Sequence, residues 1–178
     1  LSDHGQMNTD RIVNLNVILK EAGFIKTDED ENVLSWQAWA KSAGMTAQIY
    51  LQNPEDKDLG KAVKRCLDAC SRDGVYGIER VFTLEEVEEE EHFSGNFSFV
   101  IESDGLTSFG PDWRRPLMKQ YDLKDYRHGR ATHGYLPDKG PQPTAVFSGP
   151  SFKKGVRVDR KPIVDITATI CKVMGLKM

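Results

Sequence analysis

The sequence predicts an α/β fold, on three observations. Segments of period two alternate with segments of helical period, the links between them are short, and helix caps fall where the period changes. Strand–helix–strand units of this kind bring strands into a sheet with helices against its faces.

The elements follow in order. Asn14 or Asn16 can cap a short helix running to Ala22, with Gly23 as its stop. From Val33 to Lys41 the pattern alternates, with Leu34, Trp36, Ala38 and Ala40 on one side of one strand. Thr46 to Leu51 is a second strand, ended at the Asn53-Pro54 turn. Asp58 is read as the cap of a helix whose apolar positions Leu59, Ala62, Val63, Cys66, Leu67 and Cys70 recur at steps of three and four. Gly77 to Phe82 is a strand, and Thr83 with Glu86 forms a capping box opening a short acidic helix. Phe97 to Glu102 alternates again, and Ser103-Asp104-Gly105 turns. From Pro111 to Pro143 the chain is proline-rich, polar and mostly loop. Thr144 to Phe147 is a short strand, and Ile163 to Met174 is a closing helix stopped by Gly175.

Composition narrows the function classes. The chain has 178 residues, 24 Lys+Arg and 27 Asp+Glu, for a net charge of −3. That length supports one ordinary core. The charge balance argues against duplex nucleic-acid binding, which takes a basic surplus. No apolar run approaches the ~18 residues of a membrane span. Three cysteines cannot close a disulfide framework, so a soluble, reduced, cytoplasmic chain is favoured. Cys66, Cys70 and Cys171 fall at apolar positions and read as core, and the Glu85–Glu91 run reads as a solvated helix face.

Few residues are suited to chemistry. The histidines are His4, His92, His128 and His133. Asp3-His4-Gly5 stands apart, because a carboxylate and an imidazole at a strand end turning through glycine can converge on one cation. His133 by itself reads as a loop histidine before a turn. His128 and His92 carry less, and Arg114, Arg115, Arg127 and Arg130 form a locally basic loop. No phosphate-binding glycine loop and no Gly-x-Ser-x-Gly elbow is present. The polar start suggests that these residues are the C-terminal portion of a longer protein.

Three motifs in order carry a resemblance. Ser2-Asp3-His4-Gly5-Gln6-Met7, His133-Gly134-Tyr135-Leu136-Pro137 followed by Phe147-Ser148-Gly149-Pro150-Ser151-Phe152-Lys153, and Asp165-x-x-x-Thr169 ending in Gly175-Leu176 resemble the alkaline phosphatase superfamily. The nearest branch is the type I phosphodiesterase/nucleotide pyrophosphatase group, ahead of the sulfatases and phosphoglycerate mutases. The likeness covers 1–23 and 128–178. Residues 24–127 match only in their strand–helix rhythm.

The resemblance implies a partial α/β/α sheet with an inserted α+β segment. It also implies a phosphate-ester substrate and two divalent metal ions, zinc in character, that clamp an in-line phosphoryl displacement. Asp3 and His4 would hold the ion that activates a Ser/Thr nucleophile, and His133 would hold the second. The family's nucleophile motif and its Asp-x-x-x-His pair have no counterpart here, so the isolated chain is expected to be inactive. Strands near Leu1 and Thr144 would be central in a complete sheet, which predicts self-association through an exposed edge. The competing reading is a non-catalytic α/β domain that binds a partner.

Overall fold

The computed structural model describes residues 1–122, 124 and 129–177. It is mixed α/β, with several small sheets and four helices among the described residues. In chain order the elements are β1 (Met7–Asn8), β2 (Arg11–Asn14), α1 (Leu15–Glu21), β3 (Ile25–Thr27), β4 (Val33–Trp36), β5 (Ala38–Ala43) and β6 (Thr46–Leu51). There follow α2 (Lys57–Asp73), β7 (Ile78–Thr83), α3 (Leu84–Glu91), β8 (Phe99–Ser103), β9 (Thr107–Gly110), β10 (Met118–Gln120), β11 (Ala131–Thr132) and α4 (Asp165–Met174). Two compact units are distinguished: Asp3–Gln142, and Leu1–Ser2 with the residues from Pro143 onward.

The larger unit is organised by a four-stranded antiparallel sheet in the order β5-β6-β8-β7. Alternation, interrupted on β7 by a register shift between Ile78 and Arg80, assigns its faces. Ala38, Ala40, Ala47, Ile49, Val81, Phe99 and Ile101 join one buried cluster with Val63, Leu67 and Cys70 of α2. Phe82 and Val100, of opposite parity, form a second cluster with Val87 of α3 and Phe97, against which Leu136 packs. A three-stranded sheet in the order β10-β2-β9 pairs β2 with β9 in parallel. β1 and β11 form a separate antiparallel pair, Met7 opposite Thr132 and Asn8 opposite Ala131.

Several local expectations hold. β6 spans Thr46–Leu51, and Thr83 caps α3 in a capping box, its N–H donating to Glu86 Oε2 at 2.7 Å while its hydroxyl accepts from Glu86 N at 3.2 Å. Gly175 ends α4 in the left-handed conformation, as expected.

Others are corrected. The strand expected over Val33–Lys41 breaks at Gln37, whose N–H donates to Phe24 O at 2.7 Å, so β4 pairs with β3 and β5 with β6. Leu34 consequently points outward, 68% exposed, instead of sharing the face of Ala38 and Ala40. The cap of α2 is Asp56, not Asp58: its carboxylate accepts from Asp58 N and Leu59 N. Asn14 occupies the cap position of α1 but makes no side-chain cap bond; its Nδ2 amide donates to Pro116 O at 3.0 Å. Asn16 is not a cap at all. It is fully buried and bonds both backbone groups of Ala40.

In the smaller unit, Thr144–Phe147 forms no strand. No described strand runs beside it, Val146 is 80% exposed, and the backbone bond there is Ser2 N to Thr144 O at 2.9 Å. Leu1 likewise lies outside any strand, 72% exposed. The Asp-x-x-x-Thr pattern has a local reason in α4, where Thr169 Oγ1 donates to Asp165 O at 2.7 Å, one turn back.

Candidate functional site

The Asp-His-Gly turn and the His-Gly-Tyr loop meet. Pairing of β1 with β11 ends beside both motifs, and Thr9 N donates to Arg130 O at 2.7 Å to extend that seam. Beyond it His4 and His133 stack, with ring centroids 4.2 Å apart and planes inclined by 23°. Glycines make the approach possible. A Cβ on Gly5 would collide with the Pro141 carbonyl and the Tyr135 hydroxyl, and that hydroxyl donates to Pro141 O at 2.7 Å. Gly134, at φ +84°, lies against the Ala43 carbonyl, where any side chain would collide. The backbone of His133 is anchored in turn, its carbonyl accepting from Met45 N at 2.8 Å.

Asp3 and His4 are adjacent in chemistry as well as in sequence. Asp3 Oδ1 accepts from the His4 backbone N–H at 3.1 Å, and Asp3 Oδ2 lies 3.2 Å from His4 Nε2. The other ring nitrogen, Nδ1, is 2.9 Å from the Gly5 carbonyl, which can only accept. Nε2 faces the Asp3 carboxylate, and an imidazole nitrogen beside a carboxylate oxygen can share a proton or a cation with it. Donating the far N–H to a backbone carbonyl is also how a metal-bound histidine is oriented. Two corners of a zinc tetrahedron with ~2.0–2.1 Å bonds lie ~3.3 Å apart, so the Asp3–His4 spacing fits one cation. The set is nonetheless incomplete. Among the described residues no group of three or more His, Cys, Asp or Glu side chains is gathered to hold a metal.

The remaining sequence candidates lie apart. His92 is the exposed C-cap of α3, its N–H donating to Glu88 O at 3.1 Å. His128 and Arg127 fall outside the described residues. Phe147 and Phe152 of the Gly-Pro-x-Phe-Lys segment stack at 5.2 Å, within the smaller unit.

Two features carried no sequence signal. Glu102, on β8, is 1% exposed; its Oε1 accepts from Leu136 N at 3.2 Å and lies 3.2 Å from Lys139 Nζ, while Oε2 is buried without a hydrogen-bond partner. Burial pushes its pKa above the ordinary glutamate value, against the pull of the Leu136 N–H and Lys139. Separately, a groove of about 460 Å³ opens among Val33, Trp36, Trp39, Lys41 and Tyr50, none of them a motif residue. No helix among the described residues is long and apolar enough to cross a membrane. No protein-family profile and no curated protein matches this sequence.

Proposed function

We propose that this chain carries part of the metal site of a phosphoric ester hydrolase, of the phosphodiesterase/nucleotide pyrophosphatase branch of the alkaline phosphatase superfamily. The observation that carries the reading is the stack of His4 on His133, which joins the two histidine motifs of the resemblance at one place. The contact of His4 Nδ1 with the Gly5 carbonyl supports it, since it turns Nε2 toward the Asp3 carboxylate, 3.2 Å away. Asp3 and His4 would hold one divalent ion and His133 a second. Two such ions, zinc in character, would neutralise the phosphoryl oxygens and lower the pKa of a Ser/Thr nucleophile.

No Ser or Thr of this chain stands in the nucleophile's motif, so the phospho-enzyme would form on a residue outside these 178. The superfamily's α/β/α sheet is the frame we propose for the complete domain. In support, the four-stranded sheet and α2 lie wholly within 24–127, the span the motifs leave unmatched, as an inserted α+β segment would.

Zinc added to the isotope-labelled chain should shift the imidazole resonances of His4 and His133 and leave those of His92 in place. The full-length natural protein should hydrolyse a chromogenic nitrophenyl phosphodiester and lose that activity to a chelator. Histidines indifferent to zinc, with a full-length protein inert toward phosphate esters, would leave the non-catalytic partner-binding domain as the better reading.

A further inference from the structure

The loop that presents His133 is fastened at its far end by a buried charge. Leu136, three residues on, packs on the Phe82–Val100 cluster and donates its N–H to Glu102 Oε1 at 3.2 Å. Lys139 closes the same loop, its backbone N–H donating to Leu136 O at 2.9 Å. The Lys139 ammonium reaches Glu102 Oε1 at 3.2 Å, Glu79 Oε2 at 2.6 Å and Ser103 O at 3.0 Å. A carboxylate 1% exposed with one oxygen left unpartnered is an expensive element to keep in a sheet. Leu or Val at this position would fill the space without that cost. What Glu102 supplies that they cannot is an acceptor for the loop and a counter-charge for Lys139.

We propose that Glu102 is the positioning residue of the candidate site: with Lys139 it fixes the 133–139 loop to β8 and so holds the His133 imidazole against His4. His133 is anchored from the other side by Met45 N and by the β1–β11 pair, so the loop is pinned at both ends and its histidine has little freedom. The consequence for metal binding rests on the hydrolase reading; the consequence for the histidine stack does not.

The test uses the full chain. Stacked imidazoles shift each other's ring protons, so the shift of His4 on going to His133→Ala measures the stack. Glu102→Ala should abolish that shift difference while the amide resonances of β5 to β8 stay in place. Glu102→Gln, which keeps an acceptor for the Leu136 N–H but not the counter-charge for Lys139, should restore part of it. A folded Glu102→Ala chain with the stack intact would overturn the proposal, as would a Glu102→Gln chain that loses it equally. Should Glu102→Ala fail to fold, Lys139→Met decides from the other partner: a loosened stack supports the clamp, an unchanged one overturns it. Zinc is added last. If the native histidines bind it, affinity should fall about 10- to 100-fold in Glu102→Ala. If they do not, the hydrolase reading fails while the stack still judges Glu102.

Discussion

His4 stacks on His133 across a ring separation of 4.2 Å, and the residues that permit it are the glycines beside each histidine. Gly5 is the tighter of the two points, closed in by the Pro141 carbonyl and the Tyr135 hydroxyl. Gly5→Ala should therefore force the two motifs apart. We expect a loss of about 1–3 kcal/mol in unfolding free energy, the usual cost of overpacking, together with loss of the mutual histidine shifts. Urea denaturation and imidazole spectra of the same sample check both. A variant of native stability with the stack retained would show that the loop yields freely there.

Asn16 should be the costliest polar residue to truncate. Its amide spans Ala40, donating to the carbonyl at 2.8 Å and accepting from the N–H at 2.7 Å, so it stands in for a neighbouring strand along β5. Asn16→Ala strands two buried backbone groups at once. At roughly 1–3 kcal/mol for each, an overall loss of about 2–6 kcal/mol is expected by urea titration. A loss below ~1 kcal/mol would mean that water replaces the amide.

What could be read from the residues, and what could not, divides along this same line. Local rules located β6, the Thr83–Glu86 capping box and the amphipathic stripe of α2, because each depends on neighbours within a turn or a pleat. Asp3, His4 and His133 came from motif order, and their meeting depends on glycines that motif order already contained. Asn16 and Glu102 were out of reach. One looked like a helix cap and the other like the polar end of an alternating strand, and their partners lie far along the chain. The break at Gln37 was hidden for the same reason, since only the Phe24 carbonyl explains it. The Thr144–Phe147 run failed in the opposite sense. It had strand composition and no described strand to pair with.

The Asp104 carboxylate should give the acid limb of stability part of its slope. Burial alone would raise its pKa, but hydrogen bonds from Leu106 N and Thr107 and the Arg11 guanidinium, 3.0 Å away, together hold it below 3.8. A carboxylate lowered on folding contributes above its unfolded pKa and loses that contribution as pH falls through the folded one. The side chain is still partly open to solvent, 29% accessible, which screens the pair, so the effect is small, roughly 0.5–1 kcal/mol. Asp104→Asn should lower stability at neutral pH by that amount and converge with the native chain as pH falls through the lowered pKa of the folded state. Parallel curves across the whole range would refute the assignment.

Cys66 should be the reactive thiol of α2. It lies one turn before Cys70, and a hydrogen bond from the Cys70 thiol stabilises its thiolate, bringing its pKa down to about 7 from 9.0 against the opposing effect of burial. Cys70, buried and beside that charge, is pushed the other way and keeps its proton. Alkylation requires the thiolate, so iodoacetamide should label Cys66 with a midpoint near pH 7 and leave Cys70 unmodified while the fold persists. Peptide mass spectrometry separates both from Cys171. Cys70→Ala removes the donor and should move the Cys66 midpoint up toward 9.0, with little loss of stability because one small buried side chain replaces another. A midpoint that stays near pH 7 in that variant would mean that Cys70 is not the group holding the Cys66 thiolate.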